Sequence, residues 1–141
     1  MIAYVDANVI LRFLLKDHPV MSEKTFQLMQ AVESGDATLR IDEVTIAEVV
    51  WVLSSLVKHT RERVVIELLD FLSTDGVEVE DTVPAALVLF QSMNIDFVDA
   101  LLASRLQKRG LPRVFSFDKH FDRIPRIQRL EPGASLESAG G

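Results

Sequence analysis

The chain has 141 residues and no cysteine. Disulfide bonds and thiolate metal sites are therefore excluded, and a metal, if one binds, is expected to be held by oxygen. Long hydrophobic runs are also missing: the longest, residues 83–90, contains a proline and is far shorter than the roughly 20 residues of a membrane span. Residues 1–6 lack the basic and apolar segments of a secretory signal. We therefore expect an unexported, cytoplasmic protein with no membrane segment.

Basic residues are in the minority, and the net charge is -6. They are unevenly placed, because residues 1–104 carry 7 basic and 17 acidic groups, whereas residues 105–129 carry 8 basic and 2 acidic groups. A basic segment beside acidic residues is typical of a strip that follows a phosphate backbone next to an acidic site. A solvated helix face and loop would give the same charge pattern.

Short apolar segments alternate with longer segments of helical periodicity along the chain. This order predicts an α/β fold in which a central, mainly parallel sheet is flanked by helices. Strands are predicted at residues 2–5, 38–41, 77–79 and 114–117, and the first of them is expected to be buried. Helices are predicted at residues 7–16, 19–33, 43–58, 61–73, 82–93 and 97–109. Asp42 and Thr60 are expected to cap the start of two of these helices, and Gly110 to end the last one. Residues 1–130 are expected to form one domain, and residues 131–141, rich in small residues, a flexible C-terminal tail.

Four carboxylates, Asp6, Glu48, Asp99 and Asp118, lie inside or at the end of strongly apolar segments. Because a lone buried carboxylate is costly, such groups are normally paired, neutralised or bound to a cation. Asp6 and Asp118 follow predicted strands, where the ligand sites of parallel sheets lie. Carboxylate oxygens suit Mg²⁺ and Mn²⁺, and one or two such ions can activate water beside a phosphodiester. The four acids therefore predict one metal site.

Three of these acids also have a purely structural explanation. Asp6 would cap the helix that follows it, and Asp99 would be the third-residue acid of a capping box that Asp96 begins. Asp118 would form a turn. Glu48 is harder to explain in this way, because its sequence neighbours are apolar, and we expect it to be buried.

Four segments carry a resemblance to a known family. They are Val5-Asp6-Ala7-Asn8, residues 45–53 (TIAEVVWVL), residues 96–103 (DFVDALLA) and Phe115-Ser116-Phe117-Asp118. In order and spacing, over residues 1–130, they resemble the motifs of PIN-domain proteins, and most of all VapC-like toxins of type II toxin–antitoxin systems. The resemblance implies a PIN-like nuclease domain that cleaves RNA as an endoribonuclease. Its catalytic metal ligands would be Asp6, Glu48, Asp99 and Asp118, with Mg²⁺ as the ion and Mn²⁺ as a substitute.

The same resemblance implies supporting residues and partners. Asn8 would orient Asp6 or a metal-bound water, Ser116 would form a hydrogen bond near the metal, and Asp96 and Asp122 would be supporting acids. Ala7 departs from the hydroxyl residue that the family often has at this position, which removes one possible hydrogen bond. The family also implies a homodimer and a small antitoxin protein as a partner.

RNA would be the substrate, and the basic segment supplies candidate phosphate contacts. These candidates are Arg105, Lys108, Arg109, Arg113, Lys119 and His120. His18 and His59 are predicted to be exposed residues at helix ends.

Three other functions are kept open. A phosphatase of the haloacid-dehalogenase type would use Asp6 as its nucleophile, but that chemistry needs a second Asp where this chain has Asn8. The other two are an RNA-processing PIN nuclease that is not a toxin, and a non-catalytic metal- or protein-binding module.

Overall fold

A computed structural model describes residues 1–133 of the chain. The strands are Ile2–Tyr4 (β1), Thr38–Ile41 (β2), Val77–Val79 (β3), Arg113–Phe115 (β4) and Gln128–Leu130 (β5). The α-helices are Ala7–Leu15 (α1), Pro19–Glu33 (α2), Glu43–Trp51 (α3), Arg61–Leu72 (α4), Thr82–Ser92 (α5) and Phe97–Arg109 (α6). A π-helical turn spans Val52–Leu56 and a 3₁₀-helix spans Lys119–Arg123. In the described part of the chain, no helix is both long and apolar enough to cross a membrane.

All strand pairs are parallel, which confirms the predicted α/β class. The contacts divide the chain into two compact units, Met1–Pro84 and Ala85–Gly141. The first unit contains a three-stranded sheet in the order β1-β2-β3, and the second contains the pair β4-β5. A domain that ends at residue 130 stays a prediction. Most of the predicted tail, residues 134–141, lies outside the described residues.

Most buried apolar side chains of the first unit come from its helices and from the middle strand of its sheet. Ile10, Leu39, Ile46 and Leu68 are almost fully buried. Burial of such side chains contributes about 1.5–3 kcal/mol each and is the main reason these short elements are stable together. In the second unit, the buried side chains include Leu87, Ala100, Phe121 and Ile124.

Helix ends follow the predicted capping residues. Asp42 accepts a hydrogen bond from the Val44 N–H, and Thr60 accepts one from the Arg63 N–H. Gly110 ends α6 in the left-handed conformation, at φ 66°, which glycine adopts without the steric cost that other residues carry. These local signals explain why most predicted helix boundaries agree with the structure to within one residue.

The predicted helix 43–58 was wrong at its C-terminal end. The α-helix stops at Trp51, and a π-helical turn follows in which the Val57 N–H bonds to the Val52 carbonyl at 3.0 Å. Lys58 then takes a left-handed conformation, at φ 66°. No glycine or proline marks this change in the sequence, so the apolar periodicity alone extended the helix too far.

Two predicted strands also differ from the structure. The strand predicted at 2–5 ends at Tyr4, and Ile2 and Tyr4 are exposed, so the prediction of a buried strand was wrong. The strand predicted at 114–117 instead spans Arg113–Phe115. Ser116 and Phe117 therefore belong to the loop that leads to Asp118.

Candidate metal centre

Three groups that can bind a metal ion come together in the second unit: Asp99, Asp118 and His120. Asp99 projects from the first turn of α6, whereas Asp118 and His120 lie at the start of the 3₁₀-helix that follows β4. The imidazole of His120 lies between the two carboxylates. Its Nε2 is 3.2 Å from Asp99 Oδ2, and its Nδ1 is 2.9 Å from Asp118 Oδ1. One ligand atom of each residue lies within 4.8 Å of the others.

Local hydrogen bonds hold Asp118 and His120 in this arrangement. Asp118 caps the 3₁₀-helix, because its Oδ1 accepts the His120 backbone N–H at 3.2 Å. The Asp118 N–H donates to Ser116 Oγ at 2.9 Å, so the Ser116 side chain helps to position Asp118. The His120 ring also packs against the buried ring of Phe121, with centroids 4.7 Å apart. These contacts restrict the imidazole and leave its side chain 14% exposed.

Burial and neighbouring charges change the pKa of Asp99. Partial burial raises the pKa of Asp99 above its ordinary value, and the negative charges of Asp96 and Asp118 raise it further. The interaction with His120 opposes that shift. Asp96 occupies the N-cap position of α6, but its side chain forms no capping hydrogen bond, so the predicted capping box was wrong.

The donor set fits a divalent cation. Two carboxylates and one imidazole are ligands that proteins commonly offer to Mn²⁺, Zn²⁺ and related ions, and the carboxylates also suit Mg²⁺. His120 Nε2 is buried and lies 3.2 Å from Asp99 Oδ2, so the two atoms are close enough to bind one cation together. A bound cation would also relieve the repulsion between the Asp99 and Asp118 carboxylates.

The other two predicted ligands, Asp6 and Glu48, belong to the first unit. Asp6 is exposed, and its Oδ1 accepts the Val9 N–H at 3.1 Å, so it caps α1. Glu48 is exposed on α3, and the prediction that it is buried was wrong. Val44 and Trp51, one turn to either side of it, are exposed as well. Convergence of these two acids with Asp99 and Asp118 stays a prediction.

The predicted supporting residues have different surroundings. Asn8 is exposed in the first turn of α1. Asp122 is paired with Arg129 through two contacts, of 3.1 and 3.3 Å. Arg129 also donates to the Ser116 carbonyl at 3.0 Å. Asp122 therefore helps to hold the loop that precedes Asp118, and one basic residue of the 105–129 segment is already used in an ion pair.

Basic candidates for RNA binding all lie in the second unit. Lys108 and Arg109 are exposed in the last turn of α6, and Lys119 is exposed beside Asp118. Arg113 is exposed on β4, where its Nε lies 3.4 Å from the Gln128 side chain. Arg105 is half-buried.

Histidine burial differs from the sequence predictions. His18 is half-buried and its Nδ1 caps α2 by accepting the Met21 N–H. The His59 side chain is only 8% exposed and lies 3.3 Å from Glu67. Both were predicted to be exposed, and both predictions were wrong. From the sequence, His120 was predicted to contact RNA phosphate, and its position between two carboxylates was not predicted. The signal available for that position was that His120 follows Asp118 by two residues.

Comparisons with known proteins place the chain in a family. A search of curated proteins gives no match. A solved structure, VapBC2 from Rickettsia felis bound to a DNA fragment from their promoter, aligns with a TM-score of 0.42 and 19% sequence identity, over 93% of this chain and 98% of that chain. The family model of the PIN domain matches residues 3–127. That match spans most of the sequence and contains all four predicted acids, so the chain belongs to the PIN domain family.

Proposed function

We propose that this protein is a metal-dependent endoribonuclease that hydrolyses RNA phosphodiester bonds. The observation that carries the proposal is the cluster of Asp99, Asp118 and His120, in which an acid of raised pKa faces a second carboxylate. PIN domains are typically nucleases, which favours hydrolysis over a purely binding role. Perturbed acids that converge on one point are typical of catalytic sites.

Asp99 and Asp118 would hold the cation, and Asp6 and Glu48 would complete its ligand set. A bound divalent cation, Mg²⁺ or Mn²⁺ in its place, would supply an acidified water and would stabilise the departing oxygen. The side chains would hold the cation beside the scissile phosphate, and Asn8 would orient Asp6. Because the acids repel a phosphate, the substrate also needs cationic side chains nearby.

Exposed basic residues of the second unit are proposed to contact the RNA backbone. Reversal of two charges, Arg109→Glu with Arg113→Glu, should weaken binding to all RNA sequences alike, because phosphate contacts carry no sequence information. Two lost contacts should also lower the slope of log affinity against log salt by roughly 1.4 for single-stranded RNA. The matched control is Lys16→Glu with Lys24→Glu, which makes the same charge change in the first unit. Equal affinity of both double variants and the wild type would remove the basic segment from the site.

Cleavage itself is tested on a mixed RNA pool with Mg²⁺, Mn²⁺ or EDTA. Asp6→Asn and Asp99→Asn, purified identically, are the controls for contaminating nuclease. We expect cleavage that needs the metal, disappears in both variants and leaves no 2′,3′-cyclic phosphate, because water rather than the ribose hydroxyl attacks phosphorus. Equal cleavage by the wild type and both variants would contradict the proposal.

We further propose that the chain is the toxin of a toxin–antitoxin pair, active as a homodimer in the cytoplasm and silenced by a small antitoxin protein. The motifs quoted above support this role. Expression of the wild type alone should arrest the growth of host cells, whereas Asp99→Asn should not. A wild type that cleaves RNA but leaves growth unchanged would instead favour an RNA-processing nuclease.

A further inference from the structure

His120 is the third donor of the cluster, and its nitrogen changes the chemistry that the sequence predicted. A chain without cysteine was expected to hold a metal by oxygen alone. In the structure, both ring nitrogens of His120 face carboxylates of the cluster. Two different tasks can be assigned to those nitrogens.

Nδ1 is placed to orient the ring. It lies 2.9 Å from Asp118 Oδ1, the same oxygen that accepts the His120 backbone N–H. A carboxylate on one imidazole nitrogen fixes the tautomer and directs the other nitrogen toward a metal, an arrangement that recurs at metal sites. Packing against Phe121 restricts the ring further.

Nε2 is placed to bind. It is buried, and it lies 3.2 Å from Asp99 Oδ2. When Nδ1 carries the ring proton, Nε2 keeps a lone pair that faces this anionic oxygen. A cation bound to both atoms would remove the repulsion between them, and the donor atoms of the cluster are close enough for such binding.

We propose that His120 is a metal ligand through Nε2, beside Asp99, and that this nitrogen makes the site select a divalent first-row transition ion over Mg²⁺. This inference rests on the proposed metal centre and specifies the class of ion that the centre would bind. Mg²⁺ favours oxygen ligands and keeps its waters, whereas transition ions accept imidazole readily. Asp118 then acts partly as the positioning carboxylate of His120.

The test uses Mn²⁺ as the probe and pulsed electron paramagnetic resonance as the readout. Wild-type protein should show a ¹⁴N coupling to bound Mn²⁺, and protein labelled with ¹⁵N-histidine should show the ¹⁵N pattern instead. This pair of samples needs no substitution, so it does not depend on whether a variant folds. In His120→Gln the coupling should vanish, whereas in His18→Gln, the matched control in the first unit, it should stay.

Affinities give a second readout by isothermal titration calorimetry. His120→Gln should lower the Mn²⁺ affinity by at least about tenfold and the Mg²⁺ affinity by less than about threefold. Bound Mn²⁺ that is lost in Asp99→Asn but shows no histidine nitrogen coupling would overturn the role of His120 and leave the metal centre standing. Failure of Mn²⁺ to bind the wild type at all would overturn both.

Discussion

Removal of the Asp99 charge should stabilise the metal-free protein. Oxygens of Asp99 and Asp118 lie within 4.8 Å of each other. At that separation, two unit charges repel by about 0.9 kcal/mol at the dielectric constant of water and by about 3.5 kcal/mol at an effective value of 20. Because the Asp118 side chain is 57% exposed, the repulsion should lie near the lower value. Asp99→Asn should therefore raise the free energy of unfolding in EDTA by about 1 kcal/mol, or roughly 4 °C in Tm.

The pH dependence of this gain follows from the raised pKa of Asp99. The native protein binds the Asp99 proton more readily than the unfolded chain does, so ionisation of Asp99 costs native stability. That cost is fully present above the raised pKa and disappears as the pH falls toward the ordinary value of 3.8. The advantage of Asp99→Asn should accordingly be largest at neutral pH and vanish in acid.

Metal should reverse the order of stabilities. A cation at one hundred times its Kd stabilises the native state by about 2.7 kcal/mol, a gain that Asp99→Asn should largely lose. Thermal unfolding followed by circular dichroism, in EDTA and in Mn²⁺, should therefore show the wild type below the variant without metal and above it with metal. The matched control is Asp75→Asn, which removes an exposed charge in the turn before β3 and should show no such reversal. If Asp99→Asn is less stable than the wild type in EDTA, or if Mn²⁺ stabilises both equally, the reasoning is wrong.

Two further predictions concern Asp6 and Gly76. Asp6→Asn should abolish RNA cleavage but leave the free energy of unfolding unchanged, because asparagine caps helices as well as aspartate does. Asp6→Ala should abolish cleavage and also lower the free energy of unfolding by about 1 kcal/mol, because it loses the hydrogen bond from the Val9 N–H. Equal cleavage by Asp6→Asn and the wild type would leave only the capping role. Gly76→Ala should lower the free energy of unfolding, measured by urea titration, by about 2–4 kcal/mol. The added Cβ would strain the left-handed backbone at φ 90° and would also lie 2.9 Å from the Val32 side chain. Gly35→Ala, at φ 86° with open space around the added Cβ, should lower the free energy of unfolding by the backbone strain alone, about 1 kcal/mol. Equal losses in the two variants would show that the contact with Val32 does not contribute.

Much of the fold could be predicted because local chemistry determines it. Asp42 and Thr60 begin helices, Gly110 ends one, and the strands at 38–41 and 77–79 were predicted with their observed bounds. The errors lie where no local signal exists. The π-helical turn after Trp51 contains the fully buried Leu53, and no glycine or proline nearby in the sequence marks the turn.

The candidate site was predicted in part, for a physical reason. Asp99 and Asp118 could be found because each interrupts an apolar segment. Glu48 was wrongly expected to be buried because its apolar neighbours in sequence, such as Val49 and Val50, point to another face of α3 and are themselves buried. The position of His120 depends on tertiary packing of Phe121, which the sequence does not reveal.

The central claim is a metal centre at Asp99, and anomalous X-ray diffraction from crystals grown in Mn²⁺ would test it most directly. We expect an anomalous peak within bonding distance of an Asp99 oxygen and of His120 Nε2, with a Mn–ligand distance of about 2.0–2.4 Å, and no such peak in crystals of Asp99→Asn. A wild-type crystal at saturating Mn²⁺ in which Asp99 has no peak, while the ring of His120 still lies between the two carboxylates, would contradict the account.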